Sequence, residues 1–266
     1  MSLIVVPRQL TDHKELVRRH FAVQALAQGG HVKFPNGEKA QPMIELARPA
    51  AGESVLDVAS GWGFVSLAFS PLVRSVIGID LTPEMVGLAK NLAKERGDTN
   101  LVYQIGDAED LPFCAGTFDL VTCRAAFDHL GDPEKALREM KRMLTPAGRM
   151  VLYEFVAPAD PLKAALYNKI ETTRDPSHLR SLTVAEVRIL IRACGLEEAG
   201  RVVNLLRREF DPWISAASVG NEVRQQIRTL LVGSIPGDRA GLAPRVQSGV
   251  LSFTHTCVAW LLTPSK

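Results

Sequence analysis

Short apolar runs alternate along the chain with segments of helical periodicity. Five of these runs are rich in β-branched residues and apolar at nearly every position, as is typical of strands covered on both faces of a parallel sheet. They span 54–58, 75–80, 101–104, 118–123 and 149–154. A strand near 198–207 and a last strand near 250–262 bring the predicted total to seven. This alternation of strands and helices indicates βαβ units and an α/β fold.

Helix boundaries are marked by capping residues. Thr82, followed by a proline and an acid, predicts a helix start, and Gly97 ends that helix. Asp132 begins the next helix in the same way, while Thr183 and Glu186 have the spacing of a capping box. The stretch before residue 29 also has helical character. We therefore expect helices between the strands and one helix ahead of the first strand.

The predicted domain organisation is a helical cap over 1–36 and one domain over 37–266. Two segments interrupt the simple strand–helix pattern, at about 157–182 and 209–247. Insertions above the carboxyl edge of a parallel sheet commonly form lids over a site, so both are predicted to be helical lids. The alternative interpretations are a surface helix pair and a contact within a homodimer.

The charge balance does not indicate a nucleic-acid partner. The 266 residues include 31 Lys and Arg against 29 Asp and Glu, a formal net charge of +2. Nucleic-acid-binding proteins usually carry a larger or more clustered positive excess. The densest basic group is Arg201 with Arg207 and Arg208, which we interpret as a solvated surface. A small-molecule partner is the expectation.

The cysteine spacing and the lengths of the apolar runs bear on metal sites, on membrane insertion and on location in the cell. The four cysteines have no CxxC spacing, so no metal site is predicted. Reduced thiols are typical of the cytosol. The apolar start is too short for a signal peptide, and no run has the length of a membrane span. The predicted location is cytoplasmic.

A turn of small residues follows the first strand. It runs through Asp57, Ala59, Ser60, Gly61 and Gly63, and a helix is predicted to begin directly after it. Small residues allow the backbone to approach a ligand closely, and a helix N-terminus offers free N–H groups. No third glycine follows at the spacing of dinucleotide-binding proteins.

Acidic residues stand at the next two strand ends. Asp80 ends the second strand, where a carboxylate can accept both hydroxyls of a ribose. Asp107 follows the third strand, where it can accept from an adenine amino group. Three such elements at consecutive strand ends indicate a nucleoside cofactor.

With these motifs, residues 40–155 resemble the class I S-adenosylmethionine-dependent methyltransferases, in particular the branch similar to the ubiquinone/menaquinone C-methyltransferases. The resemblance implies a Rossmann-like, doubly wound sheet of seven strands with the last strand antiparallel. It implies S-adenosyl-L-methionine as cofactor and S-adenosyl-L-homocysteine as product. The residues that it assigns to the cofactor are Asp57, Ala59, Gly61, Gly63, Asp80, Leu81, Met85, Asp107 and Ala108. Ser60, within the same turn, and Arg124, after the fourth strand, are further candidates for binding the cofactor.

Roles within this set also follow from the resemblance. The turn packs on the methionine and ribose, Leu81 and Met85 cover the adenine, and the pair Asp107-Ala108 meets the adenine edge. The family usually has glycine where this chain has Ala59. We therefore expect Ala59 to need no positive φ, a conformation that alanine disfavours.

The loop after the fourth strand is predicted to hold the reacting groups. It contains Arg124, Asp128 and His129, where related enzymes often have two adjacent histidines. His129 is the first candidate for a general base or orienting group, with Asp128 as its partner or as a substrate contact. The alternative is that His129 packs the loop and Asp128 is solvated. Arg124 is expected to anchor the loop or the methionine end of the cofactor.

A second polar segment follows the fifth strand. Tyr167, Glu171 and Arg174 would share one helix face, and His178 follows in a loop. We predict that Tyr167 and Arg174 bind substrate and that His178 is a catalytic candidate. A surface helix with local charge pairs is the alternative. Phe34, after the first helix, is a further candidate for the substrate pocket.

The predicted function is transfer of a methyl group from S-adenosylmethionine to a carbon or oxygen, less often a nitrogen, of a small-molecule metabolite. The alternative is an enzyme of the same fold that binds this cofactor but catalyses a cyclisation or isomerisation without methyl transfer. A nicotinamide dehydrogenase is disfavoured, because the third glycine is missing and Asp107-Ala108 is present.

Overall fold

The computed structural model describes residues 8–28, 40–217 and 219–265. Phe34 and the predicted boundary at residue 36 lie outside the described residues. The strands are β1 (Ser54–Val58), β2 (Ser75–Asp80), β3 (Leu101–Ile105), β4 (Phe118–Arg124), β5 (Leu144–Phe155), β6 (Leu196–Glu209), β7 (Arg245–Gln247) and β8 (Val250–Pro264). The helices are α1 (Arg8–Gln28), α2 (Gln41–Ala47), α3 (Phe64–Phe69), α4 (Pro83–Arg96), α5 (Pro133–Met143), α6 (Pro161–Arg174), α7 (Val184–Ala193), α8 (Phe210–Ser215) and α9 (Asn221–Gly233).

The sheet has the order β3-β2-β1-β4-β5-β8-β6, and β1 to β5 are parallel. β8 is antiparallel to both of its neighbours, so the predicted α/β sheet with an antiparallel last strand is confirmed. The sheet has an eighth strand that the sequence did not predict. β7 pairs with β8 across Ser248 and Gly249, whose φ values of 51° and 80° suit a tight hairpin.

The core occupies both faces of the sheet because residues along β1 alternate between them. Leu56 packs on one face in a cluster with Met140 of α5 and Ile191 of α7. Val55 packs on the other face in a cluster with Leu67 of α3. Every residue of β1 is buried, so its apolar residues Val55, Leu56 and Val58 are covered on both faces and Asp57 is buried with them.

Two helix starts match their predicted caps and one does not. Asp132 accepts from the N–H of Lys135 at 2.9 Å, and Thr183 with Glu186 forms the predicted capping box. The Thr82 side chain makes no capping hydrogen bond. Instead, Asp80 Oδ1 accepts from the N–H of Thr82 at 2.9 Å. The cap position is therefore bound to the end of β2.

The two predicted insertions pack against each other. Helix α6 of the first and helices α8 and α9 of the second share an apolar cluster that includes Tyr167, Trp213, Ile227 and Leu231. This cluster lies against the β8 residues Leu251 and Phe253. None of the described helices combines the length and apolar character needed to cross a membrane.

Candidate active site

The turn after β1 is held in left-handed backbone conformations. Ala59, Gly61 and Gly63 have φ values of 54°, 55° and 90°. The expectation that Ala59 would avoid a positive φ is therefore wrong. An L-residue in this region carries strain on the order of 1–3 kcal/mol, and such strain clusters at functional sites. Gly63 is also sterically required, since an added Cβ would run into the hydroxyl of Tyr103.

Asp57 fixes this turn from inside the sheet. One of its oxygens accepts from both the N–H and the hydroxyl of Ser66, at 3.0 and 2.5 Å. The other accepts from the Thr122 hydroxyl at 2.9 Å. Burial raises the pKa of Asp57 to about 6, and the bonds from Ser66 and Thr122 oppose that rise. The carboxylate therefore joins β1, the start of α3 and β4.

Asp80 connects the end of β2 to the same turn. Its Oδ2 accepts from the N–H of Gly61 at 2.8 Å, and its Oδ1 accepts from the N–H of Thr82 at 2.9 Å. Burial raises its pKa, and the two backbone bonds oppose that rise. Each carboxylate oxygen can accept a second hydrogen bond, so Asp80 is oriented without being saturated.

A first cavity lies at the carboxyl ends of β1, β2 and β4. The residues predicted to bind the cofactor line it, with the exception of Gly63. Gly63 instead caps α3 and packs on Tyr103. The Ser60 hydroxyl, also part of the lining, is buried and has no hydrogen-bond partner among the described residues. Ten of the eleven residues predicted to bind the cofactor thus lie on one concave surface.

Helix α1 closes the first cavity with side chains that the sequence analysis missed. Lys14 Nζ lies 2.6 Å from Asp107 and 2.6 Å from Glu109. Burial lowers the pKa of Lys14, but the two carboxylates outweigh burial and raise it. Val17 and Phe21 line the same cavity, at helical spacing from Lys14. The helical spacing of Lys14, Val17 and Phe21 is visible in the sequence, but it does not indicate which surface of the domain the helix packs against.

A second cavity of about 670 Å³ adjoins the first. The two share the lining residues Phe21, Gln24, Arg124, Ala125 and His129. The remaining predicted catalytic and substrate residues that the structure describes also line it: Asp128, Tyr167, Arg174 and His178. Its volume is in the range of small-molecule sites. Because Arg124, Ala125 and His129 line both cavities, the two cavities meet at the loop after β4.

Within this loop, the hydrogen-bond partner of Asp128 is His178. His178 Nδ1 lies 3.1 Å from Asp128 Oδ2, whereas His129 Nε2 is 3.8 Å from Asp128 Oδ1. The Nε2 of His178 is buried and has no hydrogen-bond partner among the described residues. Burial lowers the pKa of His178, but the bond and charge of Asp128 outweigh burial and raise it. The expected pairing of Asp128 with His129 is therefore corrected.

His129 has other neighbours. Its Nδ1 lies 3.2 Å from both the carbonyl and the hydroxyl oxygen of Ser177, and its Nε2 is 3.9 Å from Asp175. Asp128, His129 and His178 place one donor atom each within 4.8 Å of one another. These donor types and this spacing also suit a divalent metal ion, which the sequence analysis did not predict.

Arg124 stands at the boundary between the cavities. Its guanidinium lies over the rings of Phe64 and Tyr153, at 5.1 and 5.2 Å from their centroids. Glu154, buried near this loop, accepts from the N–H of Ala126 at 3.2 Å. Burial and the charge of Asp128 raise the pKa of Glu154 well above its usual range.

The sequence analysis also missed wall residues on β6 and β8. Arg208, interpreted there as solvated surface, is half-buried and lines the second cavity. Along β6, Asn204, Leu206 and Arg208 alternate with more exposed residues, which was the available signal. His255 on β8 lies 2.8 Å from Glu171 across the same wall.

The chain is similar in sequence and in structure to known methyltransferases. Residues 56–152 match the family described as a methyltransferase domain. The chain is 38% identical over 198 residues to the uncharacterized methyltransferase YcgJ of Bacillus subtilis, covering 74% of this chain and 78% of YcgJ. The crystal structure of YcgJ superposes with a TM-score of 0.78 at 33% identity, over 84% of this chain and 97% of that chain.

Two further similarities agree. The structure of BH2331 from Bacillus halodurans C-125 has a TM-score of 0.81 at 28% identity, covering 87% of this chain and all of that one. The ubiquinone/menaquinone biosynthesis C-methyltransferase UbiE of Cellvibrio japonicus is 36% identical over 129 residues. That match covers 47% of this chain and 52% of UbiE, so this chain spans about half of that relative's length.

Proposed function

The chain belongs to the class I S-adenosylmethionine-dependent methyltransferases, and on this basis we propose that the first cavity binds the cofactor and the second binds a small-molecule methyl acceptor. The single observation that carries the proposal is that the two cavities meet at Arg124, Ala125 and His129. A methyl donor in one cavity and an acceptor in the other would adjoin there.

The first cavity has groups that fit S-adenosylmethionine. Asp80 has lone pairs left for the ribose hydroxyls, and Leu81 and Met85 offer an apolar wall for the adenine. The unpartnered Ser60 hydroxyl supplies a donor and an acceptor. Arg124 supplies a cation for the carboxylate of the methionine end.

S-adenosylmethionine, when bound, supplies a methyl group on a positively charged sulfur whose leaving group is a neutral thioether. The chain's own contribution is then mainly to hold the acceptor atom in line with that methyl group. The rigid ends of β1, β2 and β4, joined through Asp57 and Asp80, are suited to that task. The packed insertions form the far wall and limit access of water.

We further propose that the acceptor is an oxygen or an acidic carbon, which must lose a proton as the methyl group is transferred. His178 takes up that proton at Nε2, while Asp128 orients the ring through Nδ1. This is the arrangement in which a carboxylate stabilises the imidazolium that forms. An amine acceptor has less need of such a base, since solvent can take its proton after transfer.

Calorimetry with S-adenosylmethionine, S-adenosylhomocysteine and NAD tests the cofactor. We expect both sulfur ligands to bind and NAD not to bind. Incubation with deuteromethyl-labelled S-adenosylmethionine and a set of phenols, enols and amines then tests methyl transfer by mass spectrometry. The same incubation with EDTA tests whether transfer needs a metal ion at Asp128, His129 and His178. Failure of both sulfur ligands to bind would contradict the proposal. Conversion of an acceptor without formation of S-adenosylhomocysteine would favour a cyclisation or isomerisation instead.

A further inference from the structure

We propose that the methyl acceptor carries an anionic oxygen group, a carboxylate or a phosphoryl group, bound in the second cavity by Arg174 and Arg208. This inference rests on the proposed function, which makes that cavity the acceptor site. Both arginines line the second cavity and not the first. The cofactor's own carboxylate, which Arg124 at the boundary can serve, therefore does not account for them.

Both guanidinium groups are oriented by aromatic rings. Arg174 lies over Trp213 at 4.7 Å from the ring centroid, and Arg208 lies over Phe155 at 5.9 Å. The Nε of each is buried and has no hydrogen-bond partner among the described residues. Stacking holds the planar fork in place, and the fork matches a carboxylate or phosphate.

The acids in the wall do not neutralise these arginines. Each of the three most buried acids has a histidine beside it: Asp128 with His178 at 3.1 Å, Glu171 with His255 at 2.8 Å, and Asp175 with His20 at 3.0 Å. Glu209, also in the lining, is exposed. The contact of Arg174 with Glu171 is long, at 3.8 Å.

Arg208 has little charge compensation around it. Among the described residues it forms no salt bridge, and neither does Arg124. Burial lowers the pKa of Arg208 and the charges of Arg174 and Arg124 lower it further, while the charges of Cys257 and Glu171 oppose part of that lowering. An arginine stays charged under such conditions, so the cavity holds like charges in a partly desolvated space. An anion placed between them would relieve that repulsion.

The acceptor is expected to have an apolar part as well. Phe155, Tyr167 and Trp213 line the same cavity, so an aromatic or other flat ring can pack there while its anionic group meets the arginines. Benzoate, phenyl phosphate and the neutral isostere benzamide are therefore suitable probes. The first two distinguish a carboxylate from a phosphoryl group.

Binding of these probes would be measured on the full chain, with and without saturating S-adenosylhomocysteine, through the side-chain N–H resonances of the tryptophans. We expect an anionic probe to perturb the Trp213 resonance and to bind about tenfold or more tightly than benzamide. Arg174→Gln and Arg208→Gln should each weaken that binding about tenfold or more. Arg201→Gln is the matched control, because Arg201 lies on the same strand and pairs only loosely with Glu198, at 3.7 Å.

Two results would overturn the inference. One is equal binding of benzamide and the anions, or no binding of either anion. The other is that Arg174→Gln and Arg208→Gln lower the melting temperature but leave anion affinity unchanged, which would make the arginines structural. A failure of S-adenosylhomocysteine to bind would count against the proposed function alone, since the probe measurements are also made without it.

Discussion

His178 Nδ1 lies 3.1 Å from Asp128 Oδ2, although the two residues are on different loops and far apart in sequence. The opposite ring nitrogen is buried in the wall of the second cavity and has no hydrogen-bond partner among the described residues. This relationship assigns the orienting carboxylate to His178. The neighbouring His129 has its closest contacts with Ser177 instead.

The pKa of His178 should therefore depend on Asp128. Burial alone would lower it, and the Asp128 carboxylate raises it above its ordinary value. We expect Asp128→Asn to lower the pKa of His178, as measured by the pH titration of its imidazole resonances. Asp132→Asn, which alters a helix cap on the same loop, is the control and should leave the titration unchanged. If the titration of His178 were unchanged in Asp128→Asn, Asp128 would not be the group that raises the pKa of His178.

The same pair has a consequence for stability. The raised pKa of His178 stabilises the fold below the ordinary histidine range, and that stabilisation is lost as the pH rises through the folded-state value. Asp128 has a lowered pKa: burial raises it, but His129 and His178 outweigh burial. Its contribution is present above the ordinary carboxyl range and is lost as the pH falls through the folded-state value.

Asp80 should control cofactor affinity. Asp80→Asn puts an amide against the N–H of Gly61 or of Thr82 and removes a charged acceptor. We expect binding of S-adenosylmethionine to weaken about 10- to 100-fold in calorimetry, since a hydrogen bond to a charged group contributes roughly 1.5–3 kcal/mol. Asp119→Asn is the control. Asp119 accepts from Ser54 at the opposite edge of the sheet, so it should change stability but not affinity.

Cofactor affinity should also depend on pH. Burial raises the pKa of Asp57 to about 6 and raises that of Asp80 as well. Both carboxylates bind protons more tightly in the fold than in the unfolded chain, so their ionised forms become populated only as the pH rises through the raised values. A cationic ligand favours the ionised forms. We expect the affinity for S-adenosylmethionine to fall below about pH 6 more steeply than that for S-adenosylhomocysteine, which lacks the sulfonium charge.

Replacing alanine by glycine usually destabilises a protein, but at Ala59 in the turn after β1 we expect no loss of stability. Ala59→Gly relieves a positive φ of 54°, and this relief offsets the greater flexibility of glycine in the unfolded chain. The free energy of unfolding should stay level or rise by up to about 1 kcal/mol. Ala165→Gly, at an exposed position of α6, should instead lower it by about 1 kcal/mol. Equal losses in denaturant titrations would rule out the strain.

Features encoded locally were predictable from the sequence. The buried parallel strands have continuous apolar runs, and the strand ends that carry Asp57, Asp80 and Asp107 follow from them directly. Features that require distant segments to meet were not predictable. Nothing near Asp128 indicates that its partner is His178, and a helical stripe does not reveal that Lys14 docks on the loop after β3.

The predictions for Arg208 and Ala59 were wrong because each rested on the usual preference of that residue type. A cluster of arginines on one strand is usually solvated, but Arg208 is on the inward-facing side of β6 and lines a cavity together with Arg174 of α6 and Trp213 of α8. Alanine usually avoids a left-handed backbone, but Ala59 adopts it because the turn bends between Asp57 and Asp80. In both cases tertiary structure overrides a local preference.

The position of α1 over both cavities has a kinetic consequence. Lys14 of this helix contacts the rim of the first cavity, and Phe21 lines both. Displacement of this helix would open the two cavities together, so entry and departure of both ligands would share one opening rate. Slower hydrogen exchange in α1 should accompany slower departure of each ligand.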